Sequence, residues 1–189
     1  MTQVAVLFAR ADSVYKTLPH CDVWDRERDA ARWPGGSPIV AHPPCRAWGR
    51  LRHFALADAG EIALATWAVK QVQKWGGVLE HPNGSRLWRV MKLPRPGLFD
   101  EFGGWTLPVL QQWWGHRAEK ATWLYIVGCK PESIPQVPLV LGEATHVVQS
   151  RKRSGYRPHI SKAEREHTPP RLAEWLCELA RRTALEKAA

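Results

Sequence analysis

The chain has 189 residues, 44% of them hydrophobic, enough for one substantial core and short for two domains. Its 27 lysines and arginines against 18 acidic residues leave a net charge of +9, which points to a polyanionic partner, with DNA or RNA first. No stretch approaches the roughly 20 apolar residues of a membrane span, and Cys21, Cys45, Cys129 and Cys177 hold no C-x-x-C pair, so a membrane protein, a zinc knuckle and a disulfide framework are excluded and a cytoplasmic setting is expected.

Val4 to Ala9 reads as a first strand, apolar and rich in branched residues. A nucleotide-binding strand usually runs into a glycine-rich turn, but here Arg10-Ala-Asp-Ser-Val-Tyr-Lys16 follows without a glycine. A second strand ending at Cys21-Asp-Val-Trp-Asp25 places Asp22 and Asp25 at a strand terminus. The charges Asp25-Arg-Glu-Arg-Asp29 read most simply as a solvated turn. Ile39-Val40-Ala41 is a short apolar run between Gly35-Gly36 and Pro43-Pro44, which suits a buried strand that stops abruptly. Cys45 sits at its exit. The prolines hold His42 and Pro43 extended and present the thiol on a stiff loop, as a reactive atom requires; the plainer alternative is a proline-rich turn with a buried cysteine.

Arg46-Ala-Trp-Gly-Arg-Leu-Arg-His53 combines basic and aromatic residues and makes Arg46, Arg50 and Arg52 candidates for phosphate contacts. From about Asp58 to Trp75 the pattern is helical, with Ile62, Ala65, Val69 and Val72 on one stripe and Gly76-Gly77 as a stop. Val78-Leu79 then exits into Glu80-His81-Pro82. Strand, helix and strand make a right-handed crossover in a parallel sheet, so the loops carrying Cys45 and Glu80 share one edge and face one cleft. Residues 83 to 110 read as irregular, a candidate substrate-facing region. Trp123-Leu-Tyr-Ile-Val127 has the strongest β-propensity in the chain. The basic loop Arg151-Lys-Arg-Ser-Gly-Tyr-Arg157 adds Arg151, Lys152, Arg153 and Arg157 as phosphate contacts, and Thr168-Pro-Pro opens a last helix with Leu172, Trp175, Leu176 and Leu179 on its apolar face. Of the 11 tryptophans, Trp48, Trp88, Trp105, Trp113 and Trp114 lie in loop-like stretches and are divided between packing and base stacking.

Val40-Ala-His-Pro-Pro-Cys45, Val78-Leu-Glu-His-Pro82 and Trp114-Gly-His-Arg-Ala-Glu-Lys-Ala-Thr-Trp-Leu-Tyr125 occur in this order. With them the chain resembles the short DNA cytosine-5 methyltransferase-like proteins of phages and prophages, which carry A-H-P-P-C, E-N-P and G-H-x-x-x-K-x-T motifs. The likeness covers roughly residues 37 to 128, with a weaker one in the last helix. It implies an α/β, single-domain, abbreviated Rossmann-like methyltransferase fold with a mostly parallel sheet, acting on DNA in the cytoplasm of a bacterial host.

The resemblance assigns Cys45 as the nucleophile that adds to carbon 6 of a flipped cytosine, and Glu80 as the group that holds and protonates ring nitrogen 3. His42, Pro44, Arg46, His81, Lys120 and Thr122 fall in the motifs around the base, with Arg46 or His42 as the cation beside the thiolate. S-adenosylmethionine is the implied methyl donor, with Asp22 or Asp25 on its ribose. Two departures stand out: His81 occupies the place of the family's asparagine, and the glycine-rich turn that receives the donor is missing. The alternatives are a pyrimidine-modifying enzyme that uses another donor or a free nucleotide, and a catalytically reduced DNA-binding protein. A zinc deaminase does not match, because Cys45 lacks the second cysteine of P-C-x-x-C and Glu80 precedes its histidine.

Overall fold

A computed structural model describes residues 2–49, 52, 59–138, 140–148 and 157–187, the last four of these in backbone only. Six short apolar runs become the strands β1 (Val4–Leu7), β2 (Cys21–Trp24), β3 (Ile39–Ala41), β4 (Gly77–Pro82), β5 (Trp105–Leu110) and β6 (Ala121–Val127). They form one sheet in the order β2-β1-β3-β4-β6-β5. The β1–β2, β1–β3 and β3–β4 pairs are parallel, while β6 runs antiparallel to both β4 and β5. The expected α/β class and mostly parallel sheet are therefore present.

Alternation along the strands sorts the core into two layers. Val4, Val6, Val40, Val78, Leu124 and Ile126 pack on one face against Leu172, Leu176 and Leu179 of α4 (Pro170–Lys187). Ala5, Leu7, Ile39, Ala41, Leu79, Tyr125 and Val127 pack on the other against Ala65, Ala68, Val69 and Val72 of α1 (Ala59–Trp75). Each fully buried leucine contributes about 2 kcal/mol to this arrangement. Ile62, expected on the buried stripe, is 46% exposed, and Ala68 takes its place against the sheet.

The β3–α1–β4 crossover forms as expected. Helix α1 stops at Gly76, whose φ of 80° leaves the right-handed region and whose N–H bonds the Val72 carbonyl at 2.9 Å. At Gly77 the approach to β3 is so close that a Cβ would lie 2.1 Å from the Ile39 carbonyl oxygen. Strand β4 runs through Glu80 and His81 to Pro82, further than its apolar residues indicate, because β6 pairs with it up to Thr122. The stretch expected to be irregular holds the short helix α2 (Leu87–Val90) and the strand β5. Trp48, Trp88, Trp105 and Trp114 are buried and Trp113 partly so, which makes them packing residues. Among the described residues no helix is long and apolar enough to cross a membrane.

Candidate active site

The chain leaves β1 toward β2 on one side and β3 toward β4 on the other, so the carboxyl ends of β1 and β3 border the crevice where the strand order turns. The His42 N–H donates to the Leu7 carbonyl at 3.0 Å and so ties the β3 exit to the end of β1. Pro43 is buried, Pro44 partly so, and Cys45 follows with its side chain exposed. The Cys45 carbonyl accepts the N–H groups of Trp48 and Gly49 at 3.1 and 3.0 Å, which closes a turn directly behind the thiol. Cys129 and Cys177 are buried and Cys21 is half-buried, so Cys45 is the most open of the four.

Glu80 leaves β4 on the α4 face, one strand away from β3. Its Oε2 accepts the His42 Nδ1–H at 3.0 Å and its Oε1 accepts the Gln111 amide at 3.2 Å. Because a carboxylate only accepts, His42 must carry a proton on Nδ1; its Nε2 meets the hydroxyl of buried Tyr15 at 2.9 Å. Burial pushes the Glu80 carboxyl up. The hydrogen bond and charge of His42, with Lys120 and His81 behind them, outweigh that and hold it at about 2. Glu80 is thus an ionised, doubly hydrogen-bonded group at the end of a paired strand.

The thiol of Cys45 is pushed up by burial among the atoms around the loop and by the charge of Glu80, and pulled back by Lys120. Lys120 is lowered by its own burial, against the opposing charges of Glu80 and Cys45, and its Nζ donates to the His167 carbonyl at 3.2 Å. The cation acting on the thiol is therefore Lys120. The expected partners are engaged elsewhere: Arg46 pairs with Glu61 on α1, and His42 with Glu80 and Tyr15. Lys120 holds a φ of 39°, a left-handed conformation that costs a lysine of order 1 kcal/mol or more.

Thr122, expected beside the base, is 1% exposed; its hydroxyl donates to the Lys120 carbonyl at 3.0 Å and accepts the Gln111 amide at 3.2 Å. It supports Gln111 and the Lys120 backbone. His81 lies on the α1 face, opposite to Glu80, with its ring 6.2 Å from that of Trp88. Among the described residues neither of its nitrogens has a partner of good hydrogen-bond geometry, and burial pushes it down to about 4. The strand alternation that turns Glu80 toward His42 and Gln111 turns His81 to the opposite face of the sheet.

Asp22 and Asp25 both border an open groove of about 330 Å³ at the end of β2. Asp22 accepts from Trp24 Nε1 at 2.8 Å and from Arg28 at 2.7 Å. Asp25 is buried, 2.6 Å from Lys16, and accepts the N–H groups of Glu27 and Arg28. The turn is solvated as expected at Arg26, Glu27, Arg28 and Asp29, which are exposed, and it closes on one buried carboxylate, Asp25. At the end of β1, where the glycine-rich turn is missing, Arg10 bonds Asp12 at 2.9 Å and Glu166 at 2.5 Å, and His167 bonds Asp12 at 3.0 Å. Arg52 is partly exposed, Arg157 donates to the Ala144 carbonyl at 3.0 Å, and Arg50, Arg151, Lys152 and Arg153 lie outside the described residues.

Tyr15 and Gln111 belong to this site and were not singled out by sequence. Tyr15 comes from a 3₁₀ turn, Val14–Thr17, and Gln111 from another, Gln111–Trp114; only the tertiary fold brings them to Glu80. Comparison of the chain with protein-family models, with curated proteins and with solved structures finds no match.

Proposed function

We propose that the protein is a DNA base-modifying enzyme that acts at the 5-position of cytosine through Cys45, on an abbreviated Rossmann-like, cytosine methyltransferase-like fold. One observation carries the reading: an exposed thiol on a proline-stiffened strand end stands within the electrostatic reach of an ionised carboxylate and a lysine on the same sheet edge. The motifs that carry the family resemblance converge there.

The chemistry follows from the two shifts. Burial and Glu80 raise the thiol of Cys45, and the charge of Lys120 opposes them and favours the thiolate. The Sγ proton leaves to solvent, and the resulting thiolate, stabilised by the Lys120 ammonium, adds to carbon 6. As the S–C6 bond forms, electron density moves through the ring to nitrogen 3, which takes up a proton from solvent. The negative Glu80 accepts a hydrogen bond from that N–H and stabilises the adduct, with His42 and Gln111 fixing its two oxygens. Carbon 5 is then nucleophilic; once it has bonded to an electrophile, loss of its proton to solvent with expulsion of the thiolate restores the C5=C6 bond, and nitrogen 3 releases its proton.

S-adenosylmethionine is the donor that the resemblance implies. The carboxylates at the end of β2 are committed to Arg28, Trp24, Lys16 and backbone N–H groups, and an ion network fills the place of the glycine-rich turn. These residues do not fit the donor as they stand. The same observation favours a second reading, a pyrimidine-modifying enzyme with another donor or a free nucleotide as substrate.

Attack at carbon 6 lets carbon 5 exchange its hydrogen with solvent whichever donor is used. In D₂O the protein should introduce deuterium at C5 of cytosine in a DNA duplex, read by mass spectrometry after digestion, and Cys45→Ala should abolish it. Exchange in deoxycytidine monophosphate but not in duplex would select the free-nucleotide reading. No exchange in either would remove Cys45 as a nucleophile.

A further inference from the structure

From His81 to Phe99 the chain has no acidic residue, and Arg86, Arg89, Lys92 and Arg95 follow one another at intervals of three. All four side chains are exposed. None makes an ion pair or a side-chain hydrogen bond with the described residues, in contrast to Arg10, Lys16, Arg28, Arg46, Arg117 and Arg182, each of which meets a carboxylate.

The backbone beneath these cations is held in place. Leu87, Trp88 and Leu93 are buried against the α1 face of the sheet. Trp88 Nε1 donates to the Thr106 hydroxyl at 3.0 Å, that hydroxyl donates to the Pro94 carbonyl at 2.6 Å, and the Leu93 N–H bonds the Trp88 carbonyl at 2.9 Å. The Arg86 N–H donates to the Trp48 carbonyl at 3.0 Å, which ties the start of this segment to the loop that carries Cys45. Four exposed, unneutralised cations on one tethered segment joined to a reactive loop have the chemistry of a phosphate track.

We infer that Arg86, Arg89, Lys92 and Arg95 form a track for the phosphates of DNA flanking the base presented to Cys45. This rests on the DNA reading above and adds the surface that holds the backbone. An anionic membrane is the competing partner, because Leu98, Phe99 and Phe102 are exposed just beyond the track. Asp100 and Glu101 stand among those apolar residues, so seating Leu98, Phe99 and Phe102 in a bilayer would bury two carboxylates with them, whereas DNA held by the four cations leaves that turn in water. DNA is therefore the partner assigned.

The test is fluorescence anisotropy with a short duplex of A·T pairs only, which offers Cys45 no cytosine. For the wild type, log K should fall linearly with log salt between about 50 and 200 mM. The double variant Arg89→Gln/Lys92→Gln, both residues exposed and outside the core, should lower the magnitude of that slope by about 2 and weaken binding about 50-fold near 0.1 M salt. An unchanged slope, no duplex binding by the wild type, or loss of binding only to phosphatidylserine–phosphatidylcholine vesicles overturns the track. Deuterium exchange into deoxycytidine monophosphate with an unchanged slope removes the track alone. A reduced slope without exchange in any substrate removes the cytosine chemistry alone.

Discussion

Replacing Glu80 by glutamine removes a charge and nearly preserves the shape, so it isolates what the ionised form contributes. An ordinary glutamate titrates at 4.5 and Glu80 at about 2. At about 1.4 kcal/mol per tenfold change in proton affinity, the folded state favours the ionised form by about 3 kcal/mol at neutral pH. Because the folded value is the lower one, this stability is complete above 4.5 and is lost as pH falls toward 2. Glutamine resembles the protonated acid, so Glu80→Gln should cost about 3 kcal/mol at pH 7 and only about 1.5 kcal/mol at pH 3. With a urea slope of about 2 kcal/mol per molar, the midpoint should drop by about 1.5 M at pH 7. Tryptophan fluorescence would follow the transition, with sodium sulfate added to both proteins at pH 3 to keep them folded. Equal midpoints at pH 7, or a gap that does not narrow at pH 3, would refute the ionised, hydrogen-bonded Glu80 described here.

Cys45 should react with iodoacetamide faster than the buried Cys129 and Cys177, with a rate that climbs past pH 9 because its thiol is raised; Lys120→Met should slow it severalfold at pH 8, and an unchanged rate would show that Lys120 does not act on the sulfur. His81 is held at about 4 against an ordinary 6.5, so its neutral form contributes stability that is present above 6.5 and lost toward 4; His81→Phe should flatten the urea midpoint over that window by about 3 kcal/mol, and an unaltered pH profile would contradict its buried, neutral state. Gly77→Ala should destabilise by more than about 3 kcal/mol or prevent folding, since its methyl would collide with the Ile39 backbone; a circular-dichroism melt within a few degrees of the wild type would mean that β3 and β4 pack less closely than described.

Strands β3 and β4 could be read from the sequence because each is an apolar run between glycines and prolines, and the crossover between them follows from chain length and handedness. Strand β5 could not. Gly103-Gly104 and Pro108 look like a loop, yet β5 is an edge strand with one neighbour, where a proline disturbs no second ladder. Cys45 and Glu80 were legible as strand-end groups, but their partners were not. Arg46 lies next to Cys45 in sequence and reaches Glu61, whereas Lys120 comes from a distant turn to act on the thiol. Which cation serves the sulfur is decided by tertiary packing, on which adjacency along the chain is silent.

Strand β6 is inserted between β4 and β5, although both precede it in the chain. As the polypeptide leaves the ribosome, β4 therefore emerges with its outer edge unpaired, and β5 has no place in the sheet until residues 121–127 follow. The face later covered by α4 stays bare longer still, until residues 170–183 have been made. A nascent chain in that state presents an open edge beside an apolar surface, the combination most prone to pairing with another chain. Synthesis paused before residue 121 should recruit chaperones, and a pause after α4 has emerged should not.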